Sequence, residues 1–472
     1  MDNLRTNPPD WSILMPVLPE KGARPQALYA EIRRLIEEGG LPPGAKLPTT
    51  RDLAARFSLS RGAAVAAYEM LIADGFAEAR VGAGTYVARA VPNTGGRPVR
   101  ARTRPPEPQG PLPGALGCST ADETTIRTFR TLLNRHLTQP SARHYHYGDP
   151  AGGEDLRGEI AAYLRAARGV HCEADQVIMT SGTQQAIDLV IRSLLRPGDP
   201  VWVEDPCYPT AKAALAAAGL ALTAVPVDAE GMDVTAGEAL QPQARAAYVT
   251  PSHQYPLGVT LTMPRRLRLI DWARRNDAFI IEDDYDSEFR FSGPPLTSLQ
   301  GIDGEGRVIY VGTFSKTLMP GFRIGYMVVP RPLVGRILDV RRLTDRFPST
   351  LFESALAEFL REGHFAAHVK RARRRVRAAR DALTGVLTDA GMAVATPEQG
   401  LHMVVEAPPG RSDAEHVLLA AAHGFELRAL SPMYHGGAGR QGLVVGFSGF
   451  PAEVLAAAAA RWVGASQNEL TK

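Results

Sequence analysis

The sequence predicts a chain in two parts: a small helical module closed by a β-hairpin, then a large α/β domain with a mostly parallel sheet. Three observations predict it. Residues 91–114 hold seven prolines, with Gly95, Gly96 and four arginines, a composition that gives an extended, solvated linker and divides the chain. Upstream of it, apolar residues recur at helical spacing. Downstream, short apolar runs alternate with amphipathic stretches, which is the pattern of βα units. At 472 residues the chain also exceeds what a single core organises.

Within the first module, Leu28, Ile32, Leu35 and Ile36 make one apolar helical face, ended by Gly39-Gly40-Leu41-Pro42-Pro43-Gly44. Thr49, three residues before Asp52, starts a short second helix with Leu53 and Phe57 on its buried side. Ser60 caps a third helix, Arg61 to Asp74, whose expected inward face is Val65, Tyr68, Leu71 and Ile72. Residues Phe76 to Val87, with Gly82 and Gly84, read as a hairpin with glycine at its tip. These are the parts of a winged helix-turn-helix, with Arg51 and Arg61 at the starts of helices two and three, where phosphates or base edges can be met. A helical packing module with solvated arginines has the same periodicity.

Composition narrows the classes. With 44% hydrophobic and 22% charged residues the chain is globular, and a net charge of +3 leaves any attraction to nucleic acid to local clusters. Cys118, Cys172 and Cys207 form no C-x-x-C pair, which excludes a zinc ribbon and a disulfide framework and fits a reducing cytoplasm. Met1 to Glu20 has no basic-then-apolar pattern of a signal peptide, and no apolar run reaches the ~18 residues of a membrane helix.

In the large domain, helices are expected at 160–168, 184–195, 265–275 and 351–360, and strands at 177–179, 201–203, 279–281 and 308–311. Thr313-Phe314-Ser315-Lys316-Thr317 follows the last of these strands, so Lys316 stands at the sheet edge where ligands bind. There it could form a Schiff base with an aldehyde while Ser315 and Arg323 bind a phosphate; an exposed lysine is the plainer reading. Ile280-Ile281-Glu282-Asp283-Asp284-Tyr285-Asp286 brings acids to the same edge. Asp283 could pair with a pyridinium nitrogen and Tyr285 with a phenolic oxygen, whereas a hard metal would need more oxygen ligands than the motif supplies. In Thr180-Ser181-Gly182-Thr183-Gln184 a strand turns into a helix whose free N–H groups suit one compact phosphate.

The segment Leu41-Pro42-Pro43-Gly44-Ala45-Lys46-Leu47-Pro48-Thr49-Thr50-Arg51-Asp52-Leu53-Ala54, with Leu59-Ser60-Arg61, Tyr68-Glu69-Met70-Leu71 and Gly82-Ala83-Gly84-Thr85-Tyr86-Val87, resembles the GntR-type winged helix over residues 25 to 89. The resemblance implies DNA contact by Arg51, Ser60, Arg61 and the wing tip at Gly82. Gly62-Ala63-Ala64 stands where that family usually carries polar residues, which leaves fewer side chains to read bases.

Ser181-Gly182-Thr183-Gln184, Glu204-Asp205-Pro206-Cys207-Tyr208, Pro251 to Gly258, Glu282 to Asp286 and Gly312 to Gly325 resemble, in order and spacing, a fold-type I aminotransferase from about Tyr145 onward. That resemblance implies pyridoxal 5'-phosphate as cofactor. Lys316 would form the internal aldimine, Asp283 pair with the ring nitrogen, Tyr285 hold the phenolic oxygen and Tyr208 stack on the ring. Ser181, Gly182, Thr183, Ser315 and Arg323 would hold the phosphate, with Tyr147 reaching in from a partner subunit.

A GntR-like head on an aminotransferase-like body is the layout of the MocR/GabR regulators. The resemblance implies a winged helix-turn-helix at 1–90, a linker at 91–114 and a PLP-dependent transferase-like effector domain at 115–472. It further implies a cytoplasmic, domain-swapped homodimer that binds operator DNA and senses an amino compound or the cofactor itself. Two departures favour a sensor over its rival, a working aminotransferase with an appended head. Tyr255 stands where many such enzymes have asparagine, and Leu443-Val444-Val445-Gly446-Phe447 lacks the arginine that binds a substrate carboxylate. Arg428 and Arg440 are the substitutes nearby. His144 and His146 lack a third ligand, so no metal is expected, and the basic run from Lys370 to Arg377 reads as a solvated or intersubunit helix face, with secondary DNA contact as the alternative.

Overall fold

The computed structural model describes residues 23–90, 110–140, 144–435 and 439–470, in two units, Met1–Gln109 and Gly110–Lys472. Residues 91–109 of the expected linker lie outside the described residues. Gly110 to Gly114, also expected as linker, belong to the second unit, where the Pro113 carbonyl accepts from the Glu426 N–H.

The first unit packs α1 (Arg24–Glu37), α2 (Thr50–Arg56) and α3 (Arg61–Ala73) beneath the hairpin β1 (Ala77–Arg80) and β2 (Gly84–Val87). Leu28, Ile32, Leu35 and Ile36 are buried together, as their spacing requires. Thr49 accepts from the Asp52 N–H at 3.2 Å and Ser60 from the Ala63 N–H at 3.1 Å, so both caps form. The inward face of α3 differs from the expected one: Ala64, Ala67, Tyr68 and Leu71 are buried, while Ile72 is 38% exposed. Two alanines let α3 approach its neighbours closely, and that rotates the larger Ile72 outward.

In the second unit α4 (Glu123–Thr138) and α5 (Glu154–Arg168) lead into an eight-stranded sheet. Its strands are β3 (Val177–Thr180), β4 (Pro200–Asp205), β5 (Ala221–Asp228), β6 (Gly231–Met232), β7 (Ala246–Val249), β8 (Phe279–Asp284), β9 (Val308–Thr313) and β10 (Gly325–Val328). They lie in the order β3-β10-β9-β8-β7-β4-β5-β6, with β5, β4, β7, β8 and β9 parallel and β10 antiparallel to both its neighbours. Interleaved are α6 (Thr183–Leu194), α7 (Pro209–Ala217), α8 (Val234–Leu240) and α9 (Met263–Arg275), followed by α10 (Arg331–Thr344), α11 (Glu353–Arg361) and α12 (His364–Asp389). β3, β7, β9 and β10 are buried throughout, which explains their continuous apolar runs.

A three-stranded antiparallel sheet, β11 (His402–Val405), β12 (Arg428–Ala429) and β13 (Leu443–Gly446), packs with α13 (Asp413–Ala422) and α14 (Ala452–Leu470) over a separate core around Phe425, Phe447 and Trp462. Among the described residues no helix is long and apolar enough to cross a membrane.

Candidate functional site

The carboxyl ends of β3, β4, β7, β8 and β9 bring their loops to one edge of the sheet, where a cavity of ≈ 240 Å³ opens. Its lining includes Gly182, Thr183, Tyr208, Asp283, Tyr285, Ser315, Lys316, Arg323 and Arg428. Residues far apart in the sequence thus meet at one site.

At one end Gly182, with φ +105, precedes α6, whose N-terminus has no side-chain cap. A Cβ on Gly182 would lie 3.5 Å from the Arg323 guanidinium, and Arg323 itself holds the left-handed conformation with φ +51. Free helix N–H groups, the Ser315 hydroxyl and a guanidinium therefore converge on a space suited to a phosphate. Ser181 does not line the cavity; its N–H donates to Gln185 Oε1 at 2.6 Å.

At the end of β8, Asp283 Oδ2 accepts from the Tyr248 hydroxyl at 2.6 Å, while Oδ1 is buried with no partner among the described residues. Burial pushes the Asp283 carboxyl up to about 7, against the opposing pull of the Tyr248 hydrogen bond. A buried acceptor without a donor fits a cationic ring N–H placed against it. Burial lowers the Lys316 ammonium below its ordinary value, which raises the share of the nucleophilic free amine. Tyr285 donates to the His253 carbonyl at 2.9 Å, and its hydroxyl is pushed well up by burial. Tyr208 meets Tyr255 edge to face at 5.5 Å between ring centroids. The donor set and the orphaned oxygen fit pyridoxal phosphate.

The third wall holds Leu116, Gly117, Tyr255, Leu401, His402 and Arg428. β12 pairs with β13 so that Arg428 lies opposite Val444, and a guanidinium reaches the cavity from the strand beside the one that lacks it. Arg428 makes no ion pair among the described residues. Arg440 does not line the cavity, because its guanidinium pairs with Glu406 at 2.8 Å on the surface. Tyr147 is also outside it and 75% exposed, its ring 5.9 Å from Phe347 and 4.0 Å beneath the Arg346 guanidinium.

Two groups were not singled out in the sequence. Tyr248 sits on a wholly buried strand and resembles any core aromatic until register places it near Asp283. His253, Asp286 and His402 form a buried cluster with metal-like spacing, in which His253 Nδ1 is 2.9 Å from Asp286 and His402 Nε2 is 3.0 Å from the Pro256 carbonyl, while His253 Nε2 has no partner among the described residues. Burial, with His253 adding to it, holds the His402 imidazole neutral by pushing it down to about 3.

In the first unit, Arg51 and Arg61 are exposed and make no hydrogen bond or ion pair among the described residues. The Ser60 side chain is engaged in capping, which leaves Arg61 projecting from the first turn of α3. Gly82, with φ +75, turns the exposed tip between β1 and β2. Of the basic run on α12, Arg371 and Arg375 pair with Asp122 at 2.9 and 2.8 Å, and Arg373 donates to the Glu288 carbonyl at 2.9 Å, which makes that part of the run an internal clamp.

A winged helix-turn-helix joined to a fold-type I aminotransferase-like body defines a DNA-binding transcriptional regulator of two-part build. Residues 25–87 match the family of bacterial regulatory proteins, gntR family, and residues 122–440 match aminotransferase class I and II. The probable rhizopine catabolism regulatory protein MocR of Rhizobium meliloti is 36% identical over 91% of this chain and 90% of its own. The HTH-type pyridoxine biosynthesis transcriptional regulator PdxR of Corynebacterium glutamicum is 31% identical over 93% and 94%. The crystal structure of Pyrococcus horikoshii kynurenine aminotransferase in complex with PMP matches with a TM-score of 0.69 and 28% identity, over 76% of this chain and 91% of that one. The chain belongs to the MocR/GabR-type transcriptional regulators.

Proposed function

We propose that the body holds pyridoxal 5'-phosphate and reads an amino compound through it, and that this reading sets how the head engages operator DNA. The observation that carries the proposal is the meeting, in one cavity, of Lys316, the partnerless Asp283 Oδ1 and the Gly182/Arg323 cradle. When bound, the cofactor supplies an aldehyde that condenses reversibly with amines and a ring that withdraws electrons. Gly182, Thr183, Ser315 and Arg323 would bind its phosphate, Asp283 would hold the ring nitrogen protonated, Tyr208 would stack on the ring, and Lys316 would hold the aldehyde carbon. Ser181 is adjacent to this cradle without facing it, and Tyr147 is assigned to the site of a second subunit in a domain-swapped homodimer.

Arg428 is the effector's anchor in this reading: a guanidinium that lines the cavity and makes no ion pair among the described residues suits a carboxylate or another anion. Tyr255, whose hydroxyl is pushed up to about 12 by burial, stays a neutral donor beside it. On the head, Arg51 and Arg61 would contact DNA from the starts of α2 and α3, with the Gly82 tip as the wing. Operator affinity should then respond to the effector by ~1–3 kcal/mol, since a ligand shifts a two-state equilibrium only by its differential affinity. Titration of cofactor-loaded protein with amino compounds, read by visible absorption and by binding to the DNA upstream of its gene, tests this. Spectral change with unaltered DNA affinity and rapid turnover would favour a working aminotransferase.

A further inference from the structure

The chain enters the body across the site. The Pro113 and Gly114 carbonyls accept from the Glu426 and Gly446 N–H groups at 2.8 Å, which fastens the segment to the C-terminal sheet that carries Arg428. Three residues on, Gly117 has φ +72, and a Cβ there would stand 2.6 Å from Lys316 Nζ, so the lysine's amine lies directly against this backbone. Ser119 then donates to the Leu318 carbonyl at 2.7 Å, and Thr120 to those of Thr317 and Lys316 at 2.7 and 3.1 Å. At the far end Asp122 caps α4 and pairs with Arg371 and Arg375.

From this geometry we propose that Pro113–Thr120 is a sensing strap, through which the state of the Lys316 amine is passed to the chain that continues back toward the head. It rests on the cofactor reading and adds its regulation. The strap touches the lysine side chain and bonds to the lysine's own main chain. It also ties that loop to the sheet bearing the effector's anchor. A group attached at Nζ must occupy space beside Gly117, and an anion on Arg428 acts two residues from Glu426, so both ends of a bound effector bear on one segment. The hydroxyls of Ser119 and Thr120 are not part of the cavity lining, which makes the coupling separable from binding.

Hydrogen exchange on the full chain, with and without pyridoxal phosphate, tests the strap. In the wild type the amides of residues 115–122 should exchange roughly fivefold more slowly once the cofactor is loaded. That response should vanish in Lys316→Ala. Ser119→Ala and, separately, Thr120→Val should still take up the cofactor with its visible band while their strap exchange no longer responds. A wild type that takes up cofactor with unchanged strap exchange overturns the strap alone, as do two coloured variants that respond like the wild type. A wild type that takes up no cofactor overturns the cofactor reading and the strap together.

Discussion

Replacing Asp283 by asparagine should move stability and cofactor affinity in opposite directions. The carboxyl is fully enclosed, one oxygen accepts from Tyr248 at 2.6 Å and the other has no donor. Burial outweighs the Tyr248 hydrogen bond and the nearby Lys316 ammonium, so its pKa stands at about 7 against an ordinary value of 3.8. The native state therefore binds more protons than the unfolded chain between those two values, and stability falls as pH rises through that window. Once ionised, the group costs the cofactor-free body on the order of 4 kcal/mol. The amide that replaces it cannot ionise, so the Asp283→Asn protein without cofactor should melt higher than wild type at pH 8, and its advantage should shrink by more than half at pH 5, where the wild-type cost is about 1.6 kcal/mol. Pyridoxal phosphate should bind the variant at least tenfold more weakly, because a charge-assisted hydrogen bond becomes a neutral one. Calorimetric melting of the full chain at the two pH values, with a fluorescence titration of the cofactor, measures both. A variant less stable than wild type at pH 8, or one that binds cofactor equally well, would refute the reasoning.

Gly182→Ala, which forces a side chain into φ +105 beside Arg323, should weaken cofactor binding more than it lowers the melting temperature. Removing Arg168, whose guanidinium bonds Asp284, Ser252 and the Leu296 carbonyl at 2.7 Å each, should cost ~3–5 kcal/mol; Arg168→Met that melts like wild type would contradict this. Arg61→Ala should weaken DNA binding and make its salt dependence shallower by about one counterion, with the visible cofactor band unchanged.

Much of the layout was legible because its signals are local. Caps at Thr49 and Ser60, the periodic face of α1 and the apolar runs of β3, β8 and β9 each reside in a few adjacent residues. Placement at the carboxyl edge followed from where Lys316 and Asp283 stand after their strands. What escaped depends on pairing between distant segments. Tyr248 acquires its role only through the parallel register of β7 with β8, and the choice between Arg428 and Arg440, both of which the sequence offers, is made only by β12 lying against β13. Arg440, twelve residues on, looks equivalent in sequence but meets Glu406 instead. The strap was hidden for the same reason: Gly110 to Gly114 have a linker's composition, yet the carbonyls of Pro113 and Gly114 are taken up by Glu426 and Gly446. In α3 the difference is one of size, since two buried alanines count for less in a hydrophobic pattern than the exposed Ile72.

The central claim is that Lys316 carries the cofactor in a body joined to a DNA-binding head. Incubating the full chain with pyridoxal phosphate, reducing it with borohydride and mapping the added mass by peptide mass spectrometry tests it most directly. The label should fall on the peptide containing Lys316, together with loss of the visible band, and neither should occur in Lys316→Ala. A protein that stays colourless in excess cofactor, or one labelled equally in the Lys316→Ala variant, would contradict the account.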